Sequence, residues 1–329
     1  MALSMTSPIR AADILEIEMF KELKVFRLRG LGGDDLVIKT DAVFANQIKS
    51  AGLVVKAVDS GVKMKIITAS EMQELSDYIK VYEEVDAYYE SMGFTSRFQS
   101  QKEAIKALKQ SLTFGFPFCK MEMQRIHHLE EAINKRGEGN KDIVRLIVSN
   151  LKADGGLEAM GRVVAGDLFN GNTDRFFPGS GSTKEFGPFT VKLKALVNPG
   201  NAMLIATQNG FQATMLDYVD PQSRFKDINA SLADLEDPQV RWPGRTLVDK
   251  KARTKFADDI ASDLETMLHP KKSFFSLKTK LGGDAAKRLD RGMVEGARLI
   301  KAGLEAKYNP NRWTAGAKER YQLMCQVRA

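Results

Sequence analysis

The residue patterning changes character near residue 70, and that change restricts the chain to a small β-rich part followed by a larger helical part. Residues 24–40, KVFRLRGLGGDDLVIKT, set a β-type run at 25–28 ahead of a turn rich in glycine (Gly30, Gly32, Gly33). A second β-type run at 36–38 follows and ends in Lys39, which predicts a strand–turn–strand hairpin. Residues 41–51, DAVFANQIKSA, put Val43, Phe44, Gln47 and Ile48 at helical spacing with Asp41 as N-cap. The runs LVVKAVD and VKMKIIT, split by Ser60 and Gly61, read as two further strands. The expectation for this part is a small antiparallel sheet with one helix against it.

Beyond residue 70 the apolar positions recur at three and four. SEMQELSDYIKVYEEVDAYYESM carries Leu75, Ile79, Tyr82 and Val85 in that rhythm, and residues 99–113 and 117–135 also read as helices. RGEGNK at 136–141 interrupts, and DIVRLIVSNLK and LEAMGRVVAGDLF resume the helical pattern on either side of Asp154, Gly155 and Gly156. FFPGSGSTKEFGPFT is dense in Gly, Pro and Ser and predicts a loop, while LKALV and AMLIAT read as short strands, the latter turning at QNG. From about residue 226 the chain is mostly helical and basic. The expected class is α+β: a loose segment at 1–20, a β-rich lobe at 21–80 and a helical lobe at 81–329. A cleft between two such lobes is a natural ligand site.

Composition removes several chemistries. The chain has 329 residues and a net charge of +7, which suits a binder of anions or serves solubility alone. No segment interleaves cations with aromatic residues as a single-strand groove does, so no specific nucleic-acid partner is expected. No apolar run is long enough to span a membrane. Cys119 and Cys325 are the two cysteines, and His127, His128 and His269 the three histidines, too few for a zinc cluster and unfavourable for a Ser–His–Asp hydrolase. His127 and His128 fall in a helical-looking segment and read as surface residues. The polar start, MALSMTSPIR, lacks the parts of a secretory signal. It leaves two locations open: the cytoplasm, or delivery by a specialised bacterial system into a host cell.

Catalysis then rests on carboxylates, amides, lysines and a bound cation. The turn RGLGGDD is either an ordinary hairpin turn or a phosphate cradle, because glycine lets backbone N–H groups approach phosphate. Lys39 is either an edge-strand lysine or the cation beside that cradle. In GRVVAGDLFNGNTDRF a helix ends near Leu168 and is followed by Asn170, Asn172, Asp174 and Arg175. Asn201 sits just before a strand in NPGNAMLI, and Asp217 ends an apolar run in TMLDYVDP, with Asp220 a weaker rival. Amide and carboxylate oxygens are the donors that magnesium prefers.

GDLFNGNTDRF resembles the catalytic loop D-x-x-x-x-N-x-D-R of atypical kinases: HipA-type toxin kinases, type II phosphatidylinositol 4-kinases and secretory-pathway casein kinases. Asp167, Asn172, Asp174 and Arg175 fill those four places. NPGNAMLI is similar to the stretch bearing the metal-binding asparagine, QATMLDYVD to the strand ending in the metal-binding aspartate, and LVIK to the strand whose lysine touches the phosphates. The resemblance covers about residues 24–220. It implies a two-lobed protein-kinase-like fold and an ATP- and Mg2+- (or Mn2+-) dependent kinase. In that scheme Asp174 orients the acceptor hydroxyl, Asp167 and Asn172 brace the loop, and Lys39 meets the phosphates under Gly30, Gly32 and Gly33. Asn201 and Asp217 hold the metal.

The sequence departs from this pattern in three places. Gln47 stands where a glutamate usually pairs with the lysine, so the lysine is held by an amide or by another acid such as Glu71 or Glu74. A Gly/Pro/Ser-rich insertion over 176–197 separates Asp174 from Asn201 and must loop out and return. Tyr218 and Val219 replace the usual Phe-Gly. The expected acceptor is a protein serine or threonine. The alternatives are a phosphoinositide, favoured by the basic stretches KKARTKF and HPKKSFFSLKTK, a catalytically dead binding module, and a nucleotidyl transferase.

Overall fold

The computed structural model of the chain describes residues 3–20, 25–40, 54, 56–58, 64–94, 99–115, 118–122, 126–128, 138–172, 175–176, 183–186, 189–192, 197, 203–207, 210–214, 242–268, 281–307 and 315–328. The fold is α+β and divides into two compact units. One unit takes 1–48 and 62–124, the other 49–61 and 125–329. The boundary drawn from the sequence at residue 80 falls inside a helix of the first unit.

Among the described residues the first unit is a five-stranded antiparallel sheet backed by two helices. Its strands are β1 (Ile14–Met19), β2 (Val25–Gly30), β3 (Asp35–Thr40), β4 (Met64–Ile66) and β5 (Phe118–Glu122), in the order β1-β2-β3-β5-β4. Its helices are α1 (Ala69–Ser91) and α2 (Gln99–Thr113). Strand register puts Phe26 opposite Ile38, Leu28 opposite Leu36 and Ile38 opposite Lys120. Side chains alternate along a strand, so these residues share one face. Ile17, Phe26, Leu28, Leu36, Ile38 and Phe118 there form one core with Leu75 and Ile79 of α1 and Ala104, Ile105 and Leu108 of α2.

Lys120 lies on this apolar face and is fully buried. Its Nζ donates to Glu71 Oε1 at 2.6 Å and to the Ser7 carbonyl at 2.6 Å. Glu71 also closes a capping box at the start of α1: Thr68 Oγ1 accepts from the Glu71 N–H, and Glu71 Oε2 accepts from the Thr68 N–H at 2.9 Å. A third strand of support is the Ile9 N–H, which donates to Glu71 Oε1 at 3.1 Å. One carboxylate thus ties the N-terminal segment, β5 and the first helix together.

Four expectations need correction, the first being the loop read over 176–190, which holds paired strand residues at Thr183–Phe186 and from Phe189 onward. Of the segment at 1–20, residues 3–20 are built rather than loose: they contain β1, and Ile9 and Ile17 are buried. Their anchors are Glu71, Glu74 and Lys120, far along the chain, so no local pattern announces them. The run LVVKAVD is not a strand at its described positions. Val54, Lys56 and Ala57 are helical, the Val58 N–H donates to the Val54 carbonyl, and Val54 and Val58 are buried. A β-branched run satisfies helical spacing when its environment buries one stripe of it. Residues 117–135, read as helix, hold β5 and β6 (Ile126–His128), which places His127 and His128 on a strand. Phe118, Cys119, Lys120 and Met121 are all buried, and a strand covered on both faces loses the alternation that identifies strands.

The second unit is mainly helical. Its helices are α3 (Glu138–Lys152), α4 (Gly156–Asn170), α5 (Arg245–Val248), α6 (Lys250–Met267), α7 (Ala285–Lys307) and α8 (Ala315–Met324). α4 is buried nearly all round and packs most extensively on α7. The approach is backbone to backbone. A Cβ added at Gly161 would lie 2.3 Å from the Leu289 carbonyl oxygen, and one at Gly292 would lie 2.2 Å from that of Glu158. Arg288 on α7 closes the end of this contact on Glu158 at 2.9 Å. A three-stranded sheet ordered β10-β9-β6 joins β9 (Met203–Thr207) and β10 (Gly210–Thr214) to β6, and β7 (Thr183–Phe186) and β8 (Phe189–Lys192) form a separate hairpin. No described helix is long and apolar enough to cross a membrane.

Two predictions follow from this packing. Gly161→Ala or Gly292→Ala raises helix propensity yet should destabilise by ~1–3 kcal/mol, because the helices must separate; thermal unfolding measures the sign. Burial alone would raise the Glu71 carboxyl, but Lys120 and the N–H groups of Thr68 and Ile9 outweigh it and hold it at about 2. A depressed carboxyl contributes stability above its unfolded pKa of about 4.3 and loses it as pH falls toward 2. Denaturant melts should show this acid limb in the parent chain and a weaker one in Glu71→Gln.

Candidate functional site

The site most clearly built among the described residues is the loop that leaves α4. Twelve of the residues from Leu157 to Asn170 are buried, so α4 delivers its C-terminus as a rigid, dry end. Gly171 adopts the left-handed conformation at φ 68°, and its N–H caps the Leu168 carbonyl. The Asn172 N–H then donates to the Asp167 carbonyl at 2.8 Å, which turns the chain back over the helix end.

Asp167 faces inward from the last turn and is fully buried. Arg175 Nη1 donates to both its oxygens, at 2.6 and 2.7 Å, and Asn172 Nδ2 donates to Oδ1 at 3.1 Å. Arg175 and Asn172 are each only 1% exposed, so the ion pair sits in low dielectric and is screened little by solvent. The Asp167 and Asn172 side chains, expected to bond to the backbone, bond to each other, and the Asn172 N–H donates to the Asp167 carbonyl. Arg175 answers an acid rather than pointing away.

A second clasp holds the same helix end and was not foreseen. The Phe169 carbonyl, which has no partner within the helix, accepts from Trp242 Nε1 at 3.1 Å and from Arg320 Nη2. The Trp242 ring meets Phe169 edge to face at 5.7 Å, and the Arg320 guanidinium lies 4.5 Å over the Phe169 ring. Trp242 and Arg320 lie far from the loop in sequence. The one signal they offered was a rare tryptophan in a polar stretch.

The insertion does loop out and return. Phe176 and Val197, both buried, form an isolated antiparallel bridge, with the β7–β8 hairpin between them in sequence. Beyond it, β9 and β10 pair antiparallel from Thr207–Gly210 to Met203–Thr214. Asp174, Asn201, Asp217 and Gln47 themselves lie outside the described residues. Among the described residues no group of three or more His, Cys, Asp or Glu side chains is placed to hold a metal ion.

Lys39 is half-buried on β3, on the face opposite the α1–α2 core, with Val25 and Cys119 as register partners. The acid considered for it, Glu71, belongs instead to Lys120, and Glu74 accepts from the Ala11 N–H at 2.8 Å. The glycine turn uses several of its own donors. Gly30 N–H goes to the Asp34 carbonyl, Gly33 N–H to the Gly30 carbonyl and Leu31 N–H to the Asp13 carbonyl. Gly33 has φ 84°, which suits a hairpin turn. A phosphate at this turn would therefore find the Gly30 and Gly33 amides already donated within the chain.

Asp167→Asn should strand a buried guanidinium and cost ~3–5 kcal/mol, whereas Asp167→Leu with Arg175→Met, which removes both charges, should recover a large part of that loss. Equilibrium unfolding of the single and double variants measures the difference.

Comparison of the chain with protein-family models and with curated proteins returns no match.

Proposed function

We propose that the chain is an ATP- and magnesium-dependent kinase that transfers the γ-phosphoryl group to a hydroxyl of a protein serine or threonine, through a kinase-like arrangement of its loop and hairpin. The observation that carries this reading is the buried clasp of Asp167 with Arg175 and Asn172. Three of the four positions of the D-x-x-x-x-N-x-D-R pattern are hydrogen-bonded together, which supports reading the segment as a catalytic loop. The fourth, Asp174, is covalently next to the anchored Arg175.

Two further features support it. The Phe176–Val197 bridge returns the chain after the insertion, so the length of that insertion does not separate its flanks. The β9–β10 register pairs Met203 with Thr214. Asn201 is two residues before the first and Asp217 three after the second, so at ~3.3–3.6 Å per residue each stays within about 11 Å of its anchor. An amide and a carboxylate oxygen at such positions suit Mg2+, which would neutralise phosphate charge when bound.

In this mechanism Asp174 accepts the proton of the acceptor hydroxyl as its oxygen bonds to the γ-phosphorus. The bridging P–O bond to the β-phosphate breaks and ADP leaves. The lysine that the resemblance assigns to the phosphates, Lys39, belongs to the sheet unit. Asp167 does not touch substrate in this scheme; it positions the loop. The exposed Lys250, Lys251 and Lys255 of α6 favour a phosphoinositide as the second acceptor class.

Incubation with γ-labelled ATP, Mg2+ and a cell lysate tests the proposal. Label should appear on protein and fall by at least ~100-fold with Asp174→Ala, whose melting temperature stays unchanged. Label in the lipid fraction assigns the phosphoinositide acceptor. Transfer of α-label, or equal labelling by the Asp174→Ala chain, overturns the proposal.

A further inference from the structure

The outer side of α1 carries an apolar seam that the fold leaves uncovered. Val81, Val85, Tyr88 and Met92 are 58%, 48%, 61% and 46% exposed. They are spaced four, three and four residues apart, and half-buried Tyr78 extends the series by three. That is the a/d rhythm of a helix that packs against another helix. The inner face of α1 uses a different stripe, with Leu75 and Ile79 in the core, so the seam is a second apolar side on one helix. Tyr89 and Phe94 continue it, their rings edge to face at 6.2 Å.

The charge around the seam is opposite to that of the chain as a whole. α1 contains seven carboxylates and one lysine, whereas the chain carries +7. Glu83 pairs with Lys109, and Asp86 and Glu90 with Lys102, all toward α2. Asp77 and Glu84 are seven residues apart and exposed, so they border one edge of the seam. We infer that this face docks a basic amphipathic helix of another protein, with apolar residues entering the seam and Lys or Arg meeting Asp77 and Glu84. A second copy of α1 would bring two acidic helices together, and an anionic membrane would be repelled. The inference does not depend on the phosphotransfer reading.

A three-heptad peptide with Leu at a and d and Lys at e and g is a suitable probe, read by fluorescence anisotropy against the full chain. It should bind at least about tenfold tighter than a scrambled peptide of the same composition, and Val81→Asp with Val85→Asp should weaken it by a similar factor at unchanged melting temperature. Asp77→Lys with Glu84→Lys should shift preference to a peptide flanked by Glu. Equal binding of ordered and scrambled peptides overturns the inference, as does no binding. So does self-association of the chain that the Val81/Val85 variant abolishes, which would assign the seam to a second copy.

Discussion

A carboxylate buried without partners is too costly to survive in a protein interior, and the helical unit is organised around that constraint at Asp167. The α4 helix, packed closely on α7 at Gly161 and Gly292, carries this acid into a fully buried position. Once there, the acid requires donors, and the chain supplies them within eight residues as Asn172 and Arg175. The loop conformation is the consequence: Gly171 must reverse the helix, and Asn172 and Arg175 must face inward. Asp174 is thus bracketed by two residues whose side chains are already spoken for.

The sheet unit repeats the logic with the signs exchanged. Lys120 is the buried charge, and Glu71 is its answer. Because Glu71 also closes the cap of α1 and holds the Ile9 N–H, the ion pair fixes three segments that hydrophobic contact alone would leave free to slide. Directional hydrogen bonds to a charge set register where apolar packing sets only proximity.

How much of this was legible depended on the range of the interaction. The β2–β3 hairpin, the helices α1, α2 and α4 and the strand β9 are written in local spacing, and each appears where that spacing put it. Asp167, Asn172 and Arg175 lie within one short motif, so their closeness was legible, while the pairing of their side chains with one another was not. The partner of Lys120 was not, since Glu71 lies 49 residues earlier and Lys120 looks like any polar interruption of a strand. The clasp of Trp242 and Arg320 on Phe169 spans still more chain. β5 was misread because burial on both faces erased its period, and the segment at 54–58 because valine serves a buried helical stripe as well as a strand.

The two lysines of the sheet illustrate why residue type alone assigns no role. Lys39 and Lys120 lie on adjacent strands, and the register offsets them by one residue, since Lys39 pairs with Cys119. That single step sends them to opposite faces. Lys120 faces the apolar core and is consumed by Glu71 and the Ser7 carbonyl, which makes it a structural cation. Lys39 faces the other way, half-buried on the side opposite that core, with Val25 and Cys119 as its register partners. The one-residue offset in register, rather than residue type or any motif, is what separates the environments of the two lysines.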